Sequence, residues 1–241
     1  MTTFVTDQGL TVPAVTSEQM GEVDRIAIEE ESPSLLQMME NAGRNLALAA
    51  IEHLGPRWRE TPIAVYAGPG GNGGGGICAA RHLGNHGGDV ILVLVESTRL
   101  TPVGEQQLAI YRKTGRRTRA HGSFESGLIL DAVFGYGLHG SPRGHGREMI
   151  QAMKESAAPV ISLDVPSGLD STTGQAPGES VEALTTLTLA LPKTGLFSTK
   201  AGDLWLGDLG IPKDVYDRAG IDLPRPVFDG RHRIPLHRQG S

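Results

Sequence analysis

Residues 63–78 read IAVYAGPGGNGGGGIC, and this stretch decides the fold that the sequence predicts. An apolar strand over 63–67 runs into a loop of seven glycines, one proline and one asparagine, and a helix-like segment over 77–83 follows. Unpaired backbone N–H groups at the start of a helix favour anions such as phosphate. A loop that only turned the chain would need about one or two glycines. The stretch therefore predicts a phosphate- or nucleotide-binding loop between a strand and a helix.

Outward from this loop, apolar strands alternate with helical segments. Two helices come first, one from a capping box at Thr16–Gln19 to about Glu31 and one over 35–54, opened by Ser34 and closed by Gly55-Pro56. We predict later strands over 63–67, 89–95, 128–134, 159–163, 185–191 and 204–207, and later helices over 76–86, 102–114 and 146–156. Continuous apolar strands such as 90–95 are typical of a parallel, doubly wound sheet. We expect one α/β domain over residues 1–241, with a core at about 16–215 and peripheral segments at 1–15 and 216–241.

Composition limits the classes of function. The chain has 241 residues, 39% of them hydrophobic and 20% charged, and its net charge of −5 argues against a general nucleic-acid binder. The basic runs 116–119 and 231–238 are interpreted as solvated surface and a frayed tail. The single cysteine, Cys78, excludes an intrachain disulfide and is expected to be a small buried hydrophobe. Neither a secretory signal nor a membrane-length apolar run is present, so we expect a cytoplasmic protein with no membrane partner.

Polar residues follow several of the predicted strands. The first strand leads to Asn72, another carries Asp131 ahead of the glycine-rich segment 135–144, and a third leads to Asp164 and Ser167. The carboxyl ends of parallel strands share one edge of a sheet, where ligands bind. Their oxygen atoms suit a hard cation and not zinc. Lys193, after a fourth strand, can bring an ammonium group to the same cleft.

Several other motifs carry little weight. Residues 68–73 match G-x-G-x-x-G, but glycine richness makes that match probable by chance, and no hydride-transfer constellation supports an NAD-dependent oxidoreductase. There is no Walker A lysine and no G-x-S-x-G nucleophile elbow. His82 and His86, four residues apart, are interpreted as a solvated helix face.

The ordered set of motifs resembles the YjeF N-terminal domain family, the NAD(P)H-hydrate epimerases. The resemblance covers about residues 16–215 and rests on MENAGR (39–44), GPGGNGGGG (68–76), AARHL (79–83), DAVFGYGL (131–138), LDVPSGLDSTTG (163–174), PKTGL (192–196) and GDLWLGDLGIP (202–212). It implies a Rossmann-like three-layer α/β/α sandwich with a mostly parallel, doubly wound sheet. It also implies interconversion of the R and S epimers of NADH or NADPH hydrated at C6 of the nicotinamide ring.

The resemblance further implies the roles of individual residues. A potassium ion would be bound by Asn72, Asp131 and Ser167, Asp164 would be the acid/base, and Lys193 would be a supporting charge. Substrate would lie along two glycine-rich segments and Asp164, that is, along Gly71, Asn72, Gly73, Gly74, Gly75, Gly135, Tyr136, Gly137, Leu138, His139, Gly140 and Ser141. A homodimer and a dehydratase on a separate protein are also expected.

The sequence departs from the family pattern at three positions. Gly71 occupies the position of an asparagine in the family pattern, and Gly75 and Leu184 each occupy the position of an aspartate. The two missing aspartates predict fewer polar contacts near the substrate, while the expected ion ligands and Asp164 are kept. Because of these departures, a divergent, non-catalytic nucleotide-binding or scaffold member is the alternative. No arginine is clearly placed for a 2′-phosphate, so the sequence does not choose between the hydrates of NADH and NADPH.

Overall fold

A ten-stranded sheet with helices on both faces forms the body of the protein. The computed structural model describes residues 2–29, 33–94, 99–120, 122, 124–223 and 226–239. The strands are β1 (Thr3–Thr6), β2 (Thr11–Pro13), β3 (Ile63–Ala67), β4 (Val90–Val93), β5 (Arg117–Arg119), β6 (Leu128–Ala132), β7 (Val160–Leu163), β8 (Thr185–Leu189), β9 (Asp203–Gly207) and β10 (Arg233–Arg238). The helices are α1 (Ser17–Glu29), α2 (Leu35–Leu54), α3 (Gly71–Asn85), α4 (Pro102–Arg112), α5 (Gly144–Lys154) and α6 (Lys213–Arg218).

The order of the strands creates a switch point in the sheet. The sheet runs β2-β1-β10-β9-β8-β7-β6-β3-β4-β5, and every pairing from β9 to β5 is parallel. Successive strands build outward in one direction from β3 and in the other from β6, so a crevice opens where these two neighbours end. This arrangement confirms the predicted mostly parallel, doubly wound α/β/α sandwich.

The chain termini form the antiparallel edge of the sheet. β10 pairs antiparallel with both β9 and β1, and β1 pairs with β2. The prediction of a frayed tail over 231–238 was therefore wrong. Ile234 and Leu236 are buried, while Arg233, Pro235 and His237 next to them are not. The basic residues hid this alternation from the sequence analysis. The other basic run contains β5, an edge strand whose exposed arginines discourage further pairing.

The first two helices begin as their sequences predict. In α1, Thr16 Oγ1 accepts from the backbone N–H of Gln19 at 3.2 Å, while Gln19 Oε1 accepts from the backbone N–H of Thr16 at 2.9 Å. Ser34 and Gln37 form the same reciprocal pair at the start of α2. Both capping boxes are confirmed. The predicted end of α1 at Glu31 lies outside the described residues, as does the last residue of the strand predicted over 89–95.

Helix α3 begins at Gly71 and not at residue 76, so the predicted loop is limited to Gly68–Gly70. Gly73–Gly76 in the first turns of α3 are buried because they pack closely. A Cβ on Gly74 would lie 2.5 Å from Sδ of Met39 in α2, and one on Gly76 would lie 2.5 Å from Cβ of Ala132 in β6. Close approach of α3 to α2 and to the sheet explains these glycines, whereas the sequence analysis assigned the glycine run to ligand contact.

Three apolar clusters hold the layers together. One lies between the sheet and α2, α3 and α4, the second between the opposite face and α5, and the third joins α1 and α6 to the edge formed by the termini. In the parts of the chain that the structure describes, no helix is both long enough and apolar enough to cross a bilayer.

Candidate active site

A cavity of about 510 Å³ lies at the carboxyl ends of β3, β6, β7 and β8. The loop after β3, the segment after β6 and single residues after β7 and β8 form its polar side. Helices α1 and α2 form the opposite wall with Met20, Leu35, Met38, Met39 and Ala42. Strand ends predicted from sequence to meet at one edge therefore do meet, at the switch point of the sheet.

Nine of the predicted site residues border this cavity: Gly71, Asn72, Gly135, Tyr136, Gly137, Leu138, His139, Asp164 and Lys193. The remaining ones are placed elsewhere. Gly73, Gly74 and Gly75 are buried inside α3, and Gly140 and Ser141 are exposed beyond the cavity lining. Asp131 and Ser167 are fully buried and do not border the cavity.

Asp164 and Lys193 form a buried ion pair in the cavity wall. Nζ of Lys193 donates to Oδ1 of Asp164 at 2.5 Å, and the two side chains are only 1% and 6% exposed. The backbone N–H groups of Leu189 and Tyr136 donate to Oδ1 and Oδ2 of Asp164. Asp164 has φ 68°, in the left-handed region, so the turn after β7 holds its carboxylate against the segment after β6.

Asp131 is a buried carboxylate at the end of β6. Its Oδ1 accepts from Ser167 Oγ at 2.5 Å, and its Oδ2 accepts from Ser162 Oγ and the Ser167 backbone N–H, each at 2.8 Å. Burial raises its pKa, and these hydrogen bonds oppose that rise. Among the described residues, no basic side chain forms an ion pair with it.

Oxygen atoms gather around one turn next to Asp131. Ser167 Oγ accepts from the Phe134 N–H at 2.9 Å and lies 3.4 Å from the Phe134 carbonyl. Asn72 stands on the other side of this turn, since a Cβ on Gly135 would lie 3.3 Å from Cβ of Asn72. A buried carboxyl group beside hydroxyl and carbonyl oxygens is a donor set that fits a hard cation.

The sequence analysis missed a second carboxyl group in the cavity, Asp24 of α1. The Tyr136 hydroxyl donates to Asp24 Oδ2 at 2.5 Å, and both residues border the cavity. Asp24 lies one turn after Met20, which is buried and also borders the cavity. The sequence did contain a signal for this placement, because the spacing of Met20 and Asp24 puts the acidic residue on the same helical face as the apolar one.

The three departures from the family pattern are not all in the site. Gly71 borders the cavity, but Gly75 packs against Leu163, whose Cδ2 would lie 2.8 Å from an added Cβ. Leu184 is 46% exposed and does not border the cavity. Neither position of a missing aspartate borders the cavity, contrary to the expectation that the two missing aspartates remove contacts near the substrate.

A polar cluster joins α2 to α3 behind the cavity. Glu40 Oε2 accepts from Arg81 at 2.5 Å and from Cys78 Sγ at 3.3 Å, and Oε1 lies 2.7 Å from His82 Nε2. His82 is therefore partnered, and the expectation of a solvated His82–His86 face holds only for the exposed His86. Glu40, Cys78 and His82 present possible metal-ligand atoms within 4.8 Å of one another. The Arg81 guanidinium, however, already balances the charge of the Glu40 carboxylate. Cys78 is buried as expected, and burial raises the pKa of its thiol to about 12.

Glu40 makes stability depend on pH. Burial opposes its ionisation, but hydrogen bonds from Arg81 and Cys78 prevail and lower its pKa from 4.5 to about 2. The stabilisation is therefore fully present above pH 4.5 and is lost as the pH falls through 2. We expect Glu40→Gln to lower the free energy of unfolding at pH 7 by about 1–2 kcal/mol, a value reduced because the carboxylate is partly exposed. Urea denaturation of both proteins at a series of pH values should show that the difference in stability between wild type and Glu40→Gln vanishes near pH 2.

The control for Glu40→Gln is Glu148→Gln, at a side chain that is 65% exposed. The free energy of unfolding of this variant should depend on pH in the same way as that of the wild type. If the stability of Glu40→Gln fell with pH as steeply as that of the wild type, the Glu40 carboxylate would not be the source of the acid dependence.

Comparison with known proteins identifies relatives over most of the chain. The model of the family described as YjeF-related protein N-terminus matches residues 35–195. A protein of Dehalogenimonas lykanthroporepellens named NAD(P)H-hydrate epimerase is 48% identical over 97% of this chain and 96% of its own length. A protein of the same name from Weissella koreensis is 36% identical over 82% of this chain and 91% of its own length.

Some relatives are longer, and a solved structure shares the fold. A Moorella thermoacetica protein named bifunctional NAD(P)H-hydrate repair enzyme Nnr is 31% identical, and the match spans 41% of its length. The crystal structure of the yeast protein ynu0 (YNL200c) superposes with a TM-score of 0.82 over 93% of this chain and 100% of that chain, at 22% identity. The likeness to the yeast structure supports the sandwich fold.

Proposed function

Because the chain belongs to the YjeF-related protein N-terminus family, we propose that its cavity interconverts the R and S epimers of hydrated NADH and NADPH. The observation that carries this proposal is the 48% identity to an NAD(P)H-hydrate epimerase over nearly the full length of both chains. The cavity lies where a doubly wound sheet binds nucleotides, which agrees with such a substrate.

The reaction centre is C6 of the hydrated nicotinamide ring, which carries a hydroxyl beside the ring nitrogen. Epimerisation proceeds either by loss and return of the hydroxyl or by opening of the ring, and both routes move a proton at that hydroxyl. Asp164 can accept a hydrogen bond or a proton there, because its carboxylate borders the cavity and is fixed by Lys193 and two backbone N–H groups. Lys193 balances the charge of Asp164.

Asp131, Ser167 and Asn72 would hold a potassium ion beneath the turn at Phe134–Gly135. The ion would supply a fixed positive charge beside a buried carboxylate; potassium is a weak Lewis acid and activates water poorly. Asp131 and Ser167 would in turn hold the segment after β6 in place, since Ser167 accepts from the Phe134 N–H.

A homodimer, a cytoplasmic location and a dehydratase that consumes one epimer belong to the same proposal. The dehydratase is supported by the relatives named bifunctional repair enzymes, in which a chain of this kind makes up 41% of the length in one case.

The activity is tested by mixing the purified protein with the R epimer of hydrated NADH and a dehydratase specific for the S epimer. We expect NADH to be recovered faster than spontaneous epimerisation allows. Recovery at the spontaneous rate would refute the proposed activity.

The ion is tested by thermal unfolding in potassium and lithium chloride at equal ionic strength. Potassium should stabilise the wild type by up to about 2.7 kcal/mol when the ion is present at ~100 times its Kd. Asn72→Ala should lose most of that difference, because it removes one oxygen ligand. Equal unfolding temperatures of the wild type in both salts would refute the ion site.

A further inference from the structure

The cavity contains a second carboxyl group, Asp24, that no role assigned so far explains. It stands on α1, on the wall opposite the strand ends, and borders the cavity together with Tyr136, Asp164 and Lys193. Tyr136 touches both carboxyl groups: its hydroxyl donates to Asp24 at 2.5 Å and its backbone N–H donates to Asp164 at 2.9 Å. Tyr136 therefore holds one aspartate with its side chain and the other with its backbone.

The surrounding chain fixes the position of Tyr136. Its carbonyl oxygen accepts from Ser17 Oγ at 3.0 Å and from Ser171 Oγ at 2.9 Å. Ser17 is the first residue of α1, so the helix that carries Asp24 also holds the backbone of Tyr136. This mutual support keeps Asp24 directed at the cavity, as a group that exchanges protons with a bound molecule requires.

The environments of the two carboxyl groups differ. Asp164 is paired with the ammonium group of Lys193. Asp24 has no ion pair among the described residues, and burial raises its pKa, opposed by the Tyr136 hydrogen bond and the charge of Lys193 and reinforced by the charge of Asp164. Another titratable group near it is Tyr216 of α6, whose pKa is raised by burial and also by the charges of Asp208 and Asp24. Two carboxyl groups held in such different surroundings within one cavity are typical of an acid and a base that act on one substrate.

We propose that Asp24 is the proton donor of the epimerisation, acting on the substrate hydroxyl while Asp164 serves as the base; this assignment rests on the proposed epimerase function. The lone pair of N1 forms the C6–N1 double bond as the C6–O bond breaks, and the proton of Asp24 passes to the departing oxygen to give water. Water then adds to the opposite face of C6, and its proton passes to Asp164. One proton that moves from Asp164 to Asp24 through solvent restores the starting state.

The test compares Asp24→Asn with the wild type in the coupled epimerase assay. Asparagine keeps the shape of the side chain and can still accept from the Tyr136 hydroxyl, but it cannot donate a carboxylic proton. We expect kcat to fall about 100-fold with KM changed little, because a proton donor acts only in the transition state. Asp214→Asn, at a side chain that is 78% exposed, is the matched control and should retain wild-type kinetics.

The pH profile separates proton donation from a structural role. A donor works only while protonated, so kcat/KM of the wild type should fall as the pH rises through the pKa of Asp24. Tyr136→Phe removes the hydrogen bond that lowers this pKa, so its profile should fall at a higher pH than that of the wild type. Asp24→Asn should not show this fall of kcat/KM at high pH, the basic limb of the profile.

The outcomes distinguish the two proposals. A wild-type protein that does not accelerate epimerisation refutes the proposed function and the role of Asp24 together. If the wild type is active and Asp24→Asn stays within about threefold of its kcat with the basic limb intact, the role of Asp24 alone is refuted.

Discussion

Asp164→Asn is expected to lower kcat by about 10³-fold and the free energy of unfolding by about 3–5 kcal/mol. The loss of activity follows from the proposed role of the carboxylate as the base. The loss of stability follows because the substitution leaves the ammonium group of Lys193, only 1% exposed, without a counter-charge. Asparagine is chosen over alanine because it tolerates the left-handed backbone of this position, φ 68°, so that strain does not obscure the result.

A double-mutant cycle with Lys193→Met assigns the stability loss to the ion pair. Methionine fills a similar volume without charge, so the double variant should be more stable than Asp164→Asn alone, while its activity stays low. Chemical denaturation of the four proteins gives the coupling energy, and the coupled assay gives kcat. Additive free energies would show that the pair is not coupled, and an active Asp164→Asn would remove Asp164 from the mechanism.

The sequence contained enough local information for most of the architecture. Capping boxes at Thr16 and Ser34 mark helix starts through interactions three residues apart, so they are read without knowledge of the fold. Continuous apolar runs such as β4 predict buried parallel strands. The strand ends that carry Asn72 and Asp164 were predicted to meet because parallel topology requires it.

What the sequence analysis missed depends on contacts between distant segments. β10 is buried only because β9 and β1 flank it, and its basic residues suggested a solvated tail instead. Asp24 belongs to the site because α1 packs against the end of β6, more than 100 residues later along the chain, through Ser17 and Tyr136. Such placements follow from tertiary packing, which a single sequence specifies only through the complete fold.

The glycine run shows how one composition supports two interpretations. The sequence analysis assigned the glycine run to ligand contact, and the structure shows that Gly73–Gly76 serve close packing instead. Both interpretations use the small size of glycine, but they differ in what comes close to the backbone. Substitution of single glycines separates them.

Gly73→Ala is expected to lower the free energy of unfolding by more than about 3 kcal/mol. Its new Cβ would lie 1.8 Å from the Gly68 carbonyl oxygen and 2.8 Å from the Gly68 nitrogen. Backbone atoms cannot rotate away as a flexible side chain can, so the turn Gly68–Gly70 and the start of α3 must separate. Asn72 and Gly71 lie on that turn of helix, so the same shift should reduce epimerase activity.

Gly71→Ala, two residues earlier in the same helix, is the matched control for stability. A Cβ there meets no atom within 4 Å, and alanine favours the helix over glycine, so the free energy of unfolding should stay within about 1 kcal/mol of the wild type or rise. Urea denaturation followed by circular dichroism measures both variants. Equal stabilities of Gly73→Ala and Gly71→Ala would contradict the packing role of Gly73. A large loss for Gly73→Ala alone would establish that the glycine at this position is required for the close contact between α3 and the turn that follows β3.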